Sequence, residues 1–328
     1  MRRAVELALK GAGHTRPNPA VGAVIVCNGR IVGEGWHKRA GGDHAEVAAI
    51  KDALKHSNTQ TFKHSNSQTL KGATLYVTLE PCSRPGRVGA CTDAIVAAGI
   101  ARVVYGAVDP NPKNRGRAKR ILARHGIVCE RFISPSAPLP APASQLPSPS
   151  SLILPFAKHV LTGFPYVTVK IAMSLDGKIC DDFGEAKWVS SAAARKTTGK
   201  LRERVDAIMV GAETVRRDDP SLLSHGKRND DLVRVVVSRS GKLPKTAQVF
   251  ADGRNPTLVF DDGVKALRAL GKMGMMHVLC EGGLKLATSL AEAGMVDEWI
   301  TVLAPKVIGR RRIAKAVPVG NVSCLQDW

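Results

Sequence analysis

The chain has 328 residues, a hydrophobic fraction of 44% and a formal net charge of +20. This length is typical of two domains, and no apolar run reaches the roughly 18 to 20 residues that span a bilayer. The N-terminus lacks the apolar core and small-residue cleavage site of a signal peptide, which predicts a cytoplasmic or organelle-matrix protein.

Composition also limits the kind of partner. Seven cysteines, an odd number in a chain without a secretion signal, argue against a disulfide framework and for reduced thiols. The 48 basic and 28 acidic residues suggest either nucleic acid or an anionic substrate. Because only 4% of the residues are aromatic, few side chains are available to stack on bases. We therefore expect a small phosphorylated substrate rather than nucleic acid.

The first part of the chain alternates helix and strand patterns. Two short apolar runs flank Asn28-Gly29, a pair typical of the type I′ turn of a β-hairpin. The alternation predicts a three-layer α/β domain with a mixed sheet. The predicted helices are 2–10, 44–54, 92–98 and 115–124, and the predicted strands are 21–26, 31–35, 74–78 and 102–106.

A proline-rich segment divides the chain. Residues 134–151 hold six prolines among serines and alanines, a composition that resists helix and strand and predicts a linker. We therefore expect one domain over 1–133 and another over 152–328. The second half again alternates strands and helices, which predicts a second α/β domain. Its predicted strands are 167–172, 207–210, 233–237, 257–260, 277–280 and 299–303, and its predicted helices are 192–204 and 284–293.

Four residues of the first half form a zinc-deaminase pattern. Catalytic zinc is commonly held by three nitrogen or sulfur ligands and a water, and His44, Cys82 and Cys91 supply that number. Glu46, two residues after His44, reaches the same cavity and can move a proton from the water to the leaving amine. The order His-x-Glu followed by Pro-Cys is the signature of zinc deaminases. The sequence predicts one Zn²⁺ per chain and Glu46 as the catalytic proton shuttle.

The spacing of the two cysteines narrows the class of deaminase. Eight residues separate Cys82 from Cys91, whereas deaminases of nucleosides and nucleic acids normally have about two. This longer loop and several ordered motifs resemble the bifunctional deaminase/reductase family of riboflavin biosynthesis. The motifs are Pro17-Asn18-Pro19-Ala20-Val21-Gly22, Thr78-Leu79-Glu80-Pro81-Cys82-Ser83, Asp109-Pro110-Asn111-Pro112, Ser174-Leu175-Asp176-Gly177-Lys178, Val210-Gly211-Ala212-Glu213-Thr214-Val215, Asp218-Asp219-Pro220-Ser221-Leu222 and Glu281-Gly282-Gly283.

The resemblance implies a fold and two activities. A cytidine-deaminase-like domain removes the 2-amino group of a diaminopyrimidinone ribotide, which Asn18 contacts. A dihydrofolate-reductase-like domain then reduces the ribosyl group with NADPH, and the enzyme self-associates. A glycine pair before a helix also fits phosphate binding, and the absence of GxGxxG argues against a Rossmann domain. The implied NADPH contacts are Ala172, Trp188, Thr214, Asp218 and Gly283, and the implied reductase substrate contacts are Ala186, Arg202, Leu222 and Glu281.

Several positions depart from the family pattern. Arg84-Pro85 stands where a substrate-contacting histidine is usual, Asn114-Arg115-Gly116 replaces Val-Ala-Gly, and His225 replaces a substrate-binding arginine. The chain ends soon after Gly320, which predicts a reductase without its last strands. The alternatives are the same family with an idle reductase, a basic nucleic-acid deaminase, or a structural zinc protein that has a fourth protein ligand.

Overall fold

The computed structural model describes residues 1–56, 70–84, 89–133, 146–181, 189–224, 231–251, 253, 255–308 and 317–318. Contacts between residues divide the chain into two compact units, Met1–Gly163 and Phe164–Trp328. No helix in these ranges is both long and apolar enough to cross a membrane.

The first unit is built on a five-stranded sheet with strand order β2-β1-β3-β4-β5. β1 is antiparallel to β2 and β3, whereas β3, β4 and β5 are parallel, so the predicted mixed sheet is confirmed. Its elements are α1 (Arg2–Leu9), β1 (Gly22–Cys27), β2 (Arg30–Trp36), α2 (Ala45–His56), β3 (Thr74–Leu79), α3 (Cys91–Ala97), β4 (Arg102–Ala107), α4 (Arg117–Arg124), β5 (Val128–Arg131), α5 (Pro149–Leu152) and α6 (Leu154–Thr162).

Apolar side chains cover both faces of this sheet. On one face, Leu7 of α1 packs with Val24 of β1. On the other, Ile25 belongs to the main core together with Ala49 of α2. Because adjacent residues of a strand point to opposite faces, β1 contributes side chains to both cores. The sheet therefore lies between two layers of helices. The predicted hairpin is also confirmed, because Asn28 and Gly29 both have positive φ angles, 49° and 75°.

The first unit extends beyond the border predicted at residue 152. Ser148 caps α5 and Pro149 occupies its first turn, a favourable helix start inside the segment predicted as linker. A Cβ on Gly106 of β4 would lie 2.3 Å from the Pro149 Cβ, and Ile153 is buried in the main core. These long-range contacts place α5 and α6 in the first unit. Residues 134–145 of the predicted linker lie outside the described part of the chain.

Helix α2 lies directly on β2 because two strand positions carry no side chain. A Cβ on Gly35 would lie 2.3 Å from the Ala49 nitrogen and 2.5 Å from the Ala45 oxygen, both backbone atoms. A Cβ on Gly33 would meet the Ala49 oxygen at 2.4 Å. Helix backbone cannot yield locally, so these glycines set the distance of α2 from the sheet.

We expect Gly35→Ala to lower the free energy of unfolding of the first unit by about 2–3 kcal/mol, because the added methyl group overpacks the helix against the strand. Gly89→Ala is the matched control, since no atom of the described residues lies within 4 Å of a Cβ at that position. Urea unfolding of the zinc-loaded proteins measures both. Equal midpoints for the two variants would contradict this account of the helix position.

The second unit contains a six-stranded parallel sheet with strand order β11-β6-β10-β7-β8-β9. The six strands and two helices predicted from the sequence are all present. Helices α8, α9 and α10 were not predicted. The elements are β6 (Tyr166–Ser174), α7 (Ala192–Arg202), β7 (Ala207–Gly211), α8 (Ala212–Asp218), β8 (Val233–Val237), α9 (Gln248–Ala251), β9 (Thr257–Phe260), α10 (Gly263–Lys272), β10 (His277–Gly282), α11 (Leu284–Glu292), β11 (Glu298–Ala304), β12 (Lys306–Val307) and β13 (Val317–Pro318).

Two apolar clusters enclose this sheet. Val235 of β8 and Leu267 of α10 belong to one cluster, whereas Val236 and Leu279 belong to the other. Neighbouring residues of β8 thus enter different clusters, as expected for a parallel sheet covered on both faces. The carboxyl ends of its central strands consequently open at one edge, where α/β proteins bind their ligands.

Candidate functional site

The three predicted zinc ligands converge in the first unit. His44 directly precedes α2, Cys82 follows β3, and Cys91 is the first residue of α3. The His44 Nδ1 lies 3.2 Å from the Cys91 Sγ and 3.5 Å from the Cys82 Sγ. The two sulfurs are 3.3 Å apart. The structure therefore brings together all three atoms that the sequence singled out.

This donor set fits zinc. Tetrahedral zinc, with bonds of about 2.0–2.3 Å, spaces its ligand atoms roughly 3.3–3.8 Å apart, close to the triangle observed. The hydrogen bond between the sulfurs lowers the pKa of the Cys82 thiol to about 4, whereas the same contact, together with burial, raises the pKa of Cys91. The Cys91 backbone N–H also donates to the Cys82 Sγ, at 3.3 Å. These contacts stabilise negative charge at Cys82, where a cation would bind.

Glu46 lies beside the sulfur atoms without belonging to the ligand cluster. Its position in the first turn of α2 follows His44 by two residues, and its side chain is only 4% exposed. Burial, followed by the charge of Cys82, raises the pKa of Glu46 to about 7. A carboxyl group poised near neutrality can both accept and return a proton, which is the role predicted for it.

Asn18, the predicted substrate contact, is held by a histidine that the sequence analysis missed. The His37 Nδ1 lies 2.9 Å from the Asp43 carbonyl oxygen and therefore donates to it. The other ring nitrogen must then accept, and the Asn18 amide donates to it at 3.1 Å. The Asn18 Oδ1 thus keeps its capacity to accept a hydrogen bond. The His37 ring also stands edge-on to His44, with 5.3 Å between centroids.

Polar residues behind Cys82 form a second network. The Glu80 Oε2 accepts hydrogen bonds from the backbone N–H groups of Asp109 and Gly116, at 3.2 and 3.1 Å. The Asn114 Oδ1 accepts from both the N–H and the hydroxyl of Ser83, at 2.8 and 2.7 Å. The loop after β4 therefore holds the residues on either side of Pro81 and Cys82. The Glu80, Ser83 and Asp109 motifs carried the family resemblance, but their mutual contact was not predicted.

The second unit contains a cavity of about 1100 Å³. It opens where β6, β7, β8 and β10 end, as expected for a parallel sheet. Sequence reasoning missed the basic side chains of Arg195, Arg217, Arg239 and Lys285 in its lining. The predicted site residues that line the cavity are Ala172, Arg202, Thr214, Asp218, Glu281 and Gly283.

The floor of this cavity fits a dinucleotide phosphate. Gly282 has a φ of 150°, a conformation that favours glycine, and Gly282 and Gly283 both line the cavity without a side chain. Gly283 is also the N-cap of α11 and has no side-chain partner for the helix N–H groups. Helix N-termini favour anions, and basic residues in the lining add to that preference.

An ion pair also lines the cavity. The Arg202 guanidinium donates to both carboxylate oxygens of Glu281, at 2.5 and 3.0 Å, and to the Leu223 oxygen at 2.9 Å. The two side chains are 13% and 7% exposed. Lys170 lies nearby, and burial lowers its pKa. Among the described residues, three of the five guanidinium N–H groups have acceptors, and the other two could donate to a ligand.

One predicted substrate contact does not reach the cavity through its side chain, and three predicted positions lie outside the described residues. The Leu222 side chain does not line the cavity, because it is 2% exposed and packs in an apolar cluster with Val215. Its positive φ of 53° turns the main chain there, so any ligand contact would have to come from its backbone. Ala186, Trp188 and His225 lie outside the described residues, as do 309–316 and 319–328 near the predicted truncation.

The comparisons with known proteins cover both units. Models of the cytidine and deoxycytidylate deaminase zinc-binding region and of the RibD C-terminal domain match residues 1–107 and 165–323. The riboflavin biosynthesis protein RibD of Aquifex aeolicus is 35% identical over 94% of this chain and 87% of its own. The riboflavin biosynthesis protein RibD of Escherichia coli is also 35% identical, over 94% of this chain and 88% of its own.

Solved structures agree with these sequence matches. The deaminase/reductase of Thermotoga maritima is 33% identical, with a TM-score of 0.80 over 95% of this chain and 87% of its own. Acinetobacter baumannii RibD, form 1, is 34% identical, with a TM-score of 0.73 over 94% of this chain and 86% of its own. Both likenesses extend across the deaminase-like and the reductase-like unit. The chain belongs to the RibD family of riboflavin biosynthesis proteins.

Proposed function

We propose that this chain catalyses two successive reactions of riboflavin biosynthesis. The first is hydrolytic deamination of 2,5-diamino-6-ribosylamino-4(3H)-pyrimidinone 5′-phosphate, and the second is NADPH-dependent reduction of the ribosyl group to ribityl. The observation that carries the proposal is the cluster of His44, Cys82 and Cys91, whose ligand atoms lie within 4.8 Å of one another beside buried Glu46. The Thermotoga maritima relative bears both activities in its name, a diaminohydroxyphosphoribosylaminopyrimidine deaminase and a 5-amino-6-(5-phosphoribosylamino)uracil reductase.

In the deaminase unit, the protein binds substrate and moves protons. Zinc held by the cluster supplies the Lewis acidity that makes water nucleophilic near neutral pH. Glu46 takes the proton from the attacking water at its carboxylate and returns it to the departing amine. The Asn18 Oδ1, oriented by the bond to His37, accepts a hydrogen bond from a substrate N–H. The products are ammonia and the corresponding pyrimidinedione ribotide.

In the reductase unit, the protein orients two ligands. NADPH supplies the hydride. The open backbone at Gly283, together with Thr214 and Asp218, binds the cofactor along the carboxyl ends of the strands. The two N–H groups left on Arg202 anchor the substrate, and Glu281 fixes the orientation of the guanidinium. Ala172 completes the cofactor side, while the roles of Ala186, Trp188 and Leu222 stay predictions from the resemblance.

A structural zinc site would need a fourth protein ligand. Within the described ranges, the only cluster of potential ligands is the triad itself. His37, whose ring stands edge-on to His44, uses Nδ1 on the Asp43 carbonyl and Nε2 on Asn18. Among the described residues, a zinc ion would therefore have three protein ligands, the number typical of catalytic sites.

An assay of both products tests the proposal. Zinc-loaded protein would be mixed with the diaminopyrimidinone ribotide, and ammonia release and NADPH oxidation would be followed together. We expect ammonia with or without NADPH, and NADPH oxidation only after the deaminated product accumulates. Ammonia without NADPH oxidation would overturn the reductase assignment, and no ammonia would overturn the substrate assignment.

Three further expectations from the sequence stay predictions. They are self-association of the chain, a cytoplasmic or organelle-matrix location, and a preference for a small phosphorylated pyrimidine over nucleic acid. RNA binding with a steep salt dependence would argue for the nucleic-acid alternative, because each neutralised phosphate releases counterions.

A further inference from the structure

Asn114 forms hydrogen bonds through both polar atoms of its side-chain amide. The side chain is 6% exposed in the turn between β4 and α4. Its Oδ1 accepts from the Ser83 N–H and hydroxyl, and its Nδ2 donates to the Asp109 Oδ2 at 2.6 Å. The Asp109 Oδ1 is fixed in turn by the Asn111 N–H at 2.8 Å. A valine could make none of these bonds.

These bonds act on a zinc ligand through the main chain. Ser83 directly follows Cys82, so its N–H belongs to the peptide unit that carries the Cys82 carbonyl. That carbonyl accepts the Thr92 N–H at 3.2 Å, at the start of α3. On the other side, Glu80 is bound to the Ala107 oxygen through its N–H at 2.8 Å. Cys82 is thus held between anchored neighbours on both sides.

The long spacing between the two cysteine ligands explains why Cys82 needs an additional restraint. Eight residues separate Cys82 from Cys91, and a longer connection restrains the relative position of its ends less than the two-residue spacing of other deaminases. A bond from a separate loop replaces part of that restraint. Removal of a residue that hydrogen-bonds to a metal ligand without touching the metal typically lowers metal affinity by about 10–100-fold.

We propose that Asn114 is a positioning residue for the zinc site, which acts through Ser83 to hold the Cys82 sulfur in the ligand triangle. It touches neither zinc nor substrate. The inference rests on the proposed zinc site but not on the identity of the substrate, so a failed deaminase assay would not decide it.

The test replaces Asn114 and measures metal binding directly. In Asn114→Val, zinc release to a chelator should accelerate about ten- to hundred-fold. The absorption bands of cobalt-substituted protein, which report ligand geometry, should shift or weaken. Asn114→Asp alone would set a carboxylate against Asp109, so it is combined with Asp109→Asn; the double variant retains an oxygen acceptor for Ser83 and should recover part of the slow zinc release. Ser83→Ala, which removes only the hydroxyl, provides a milder variant if Asn114→Val does not fold.

Asn111→Ala is the matched control. It deletes the bond that the Lys113 N–H donates to the Asn111 Oδ1 in the same turn, a bond that does not involve Ser83. Its rate of zinc release should stay within two-fold of that of the parent protein. Its cobalt spectrum should match the parental spectrum. Unchanged zinc release and an unchanged cobalt spectrum in Asn114→Val and Ser83→Ala would overturn the proposal. Equal acceleration in the control would do the same, because it would reveal a general effect of loosening the turn.

Discussion

Glu46→Gln should abolish ammonia release while leaving zinc bound. Glutamine has nearly the shape of glutamate but cannot accept a proton at its side-chain oxygen in the working pH range. Removal of a positioned general acid–base typically costs about 10²–10⁴ in rate, and we expect a loss near the upper end because one carboxyl serves both proton transfers. Single-turnover assays with zinc-loaded variant and parent measure this loss.

The same variant separates the two active sites. Glu46 lies in the first unit, so NADPH oxidation with a substrate that is already deaminated should stay within two-fold of the parent rate. Glu130→Gln is the control, since this acid is exposed on β5 and pairs with Arg102 far from the zinc ligands in sequence. A zinc-bound Glu46→Gln protein with more than a tenth of the parental ammonia release would rule out the assigned role.

The zinc centre could be predicted from the sequence because its chemistry is carried by short motifs. His44 and Glu46 are two residues apart, and Cys82 follows a strand that the apolar pattern identifies. The carboxyl ends of the parallel strands β3 and β4 lie at the same edge of the sheet, where Cys82 follows β3. The residue types therefore specified the site before their distances were known.

The supporting contacts could not be predicted, because they join segments far apart in the chain. Asn18 and His37 are 19 residues apart, and Ser83 and Asn114 are 31 apart. Neither pair leaves a periodic pattern that sequence reasoning can detect. The border of the first unit was missed for the same reason, since the burial of Ile153 depends on the distant sheet rather than on its proline-rich neighbours.

The way in which Leu222 could contact a ligand was not evident from its residue type. Leucine side chains are usually buried, whereas the family resemblance implies a ligand contact at this position. The structure satisfies both, because the side chain enters the core while a positive φ of 53° turns the backbone. Backbone conformations of this kind are rare for leucine and are not encoded by residue type alone.

Arg202→Met should have the largest effect on the second unit. It removes the only cation that the structure records bonded to both Glu281 oxygens and leaves that carboxylate buried. Breaking one side of a buried ion pair typically costs about 3–5 kcal/mol, and we expect about 3 because Lys170 lies close enough to offset part of the loss. Urea unfolding monitored in the second unit measures it. Lys265→Met, which removes an exposed pair with Asp261, should leave the unfolding midpoint unchanged.

A double variant distinguishes the structural from the functional role of Arg202. Arg202→Met combined with Glu281→Gln leaves no unpaired carboxylate, so at least half of the lost stability should return. Substrate binding should not return with it, because the guanidinium that anchors the ligand is still absent. We expect the KM of the reductase for its phosphorylated substrate to rise at least about 30-fold in both variants, as a lost charged hydrogen bond predicts. Ammonia release by the first unit should stay within two-fold of the parent. If the double variant recovered both stability and a normal KM, Arg202 would be a structural residue, and the substrate anchor would have to be sought among the other basic residues of the cavity.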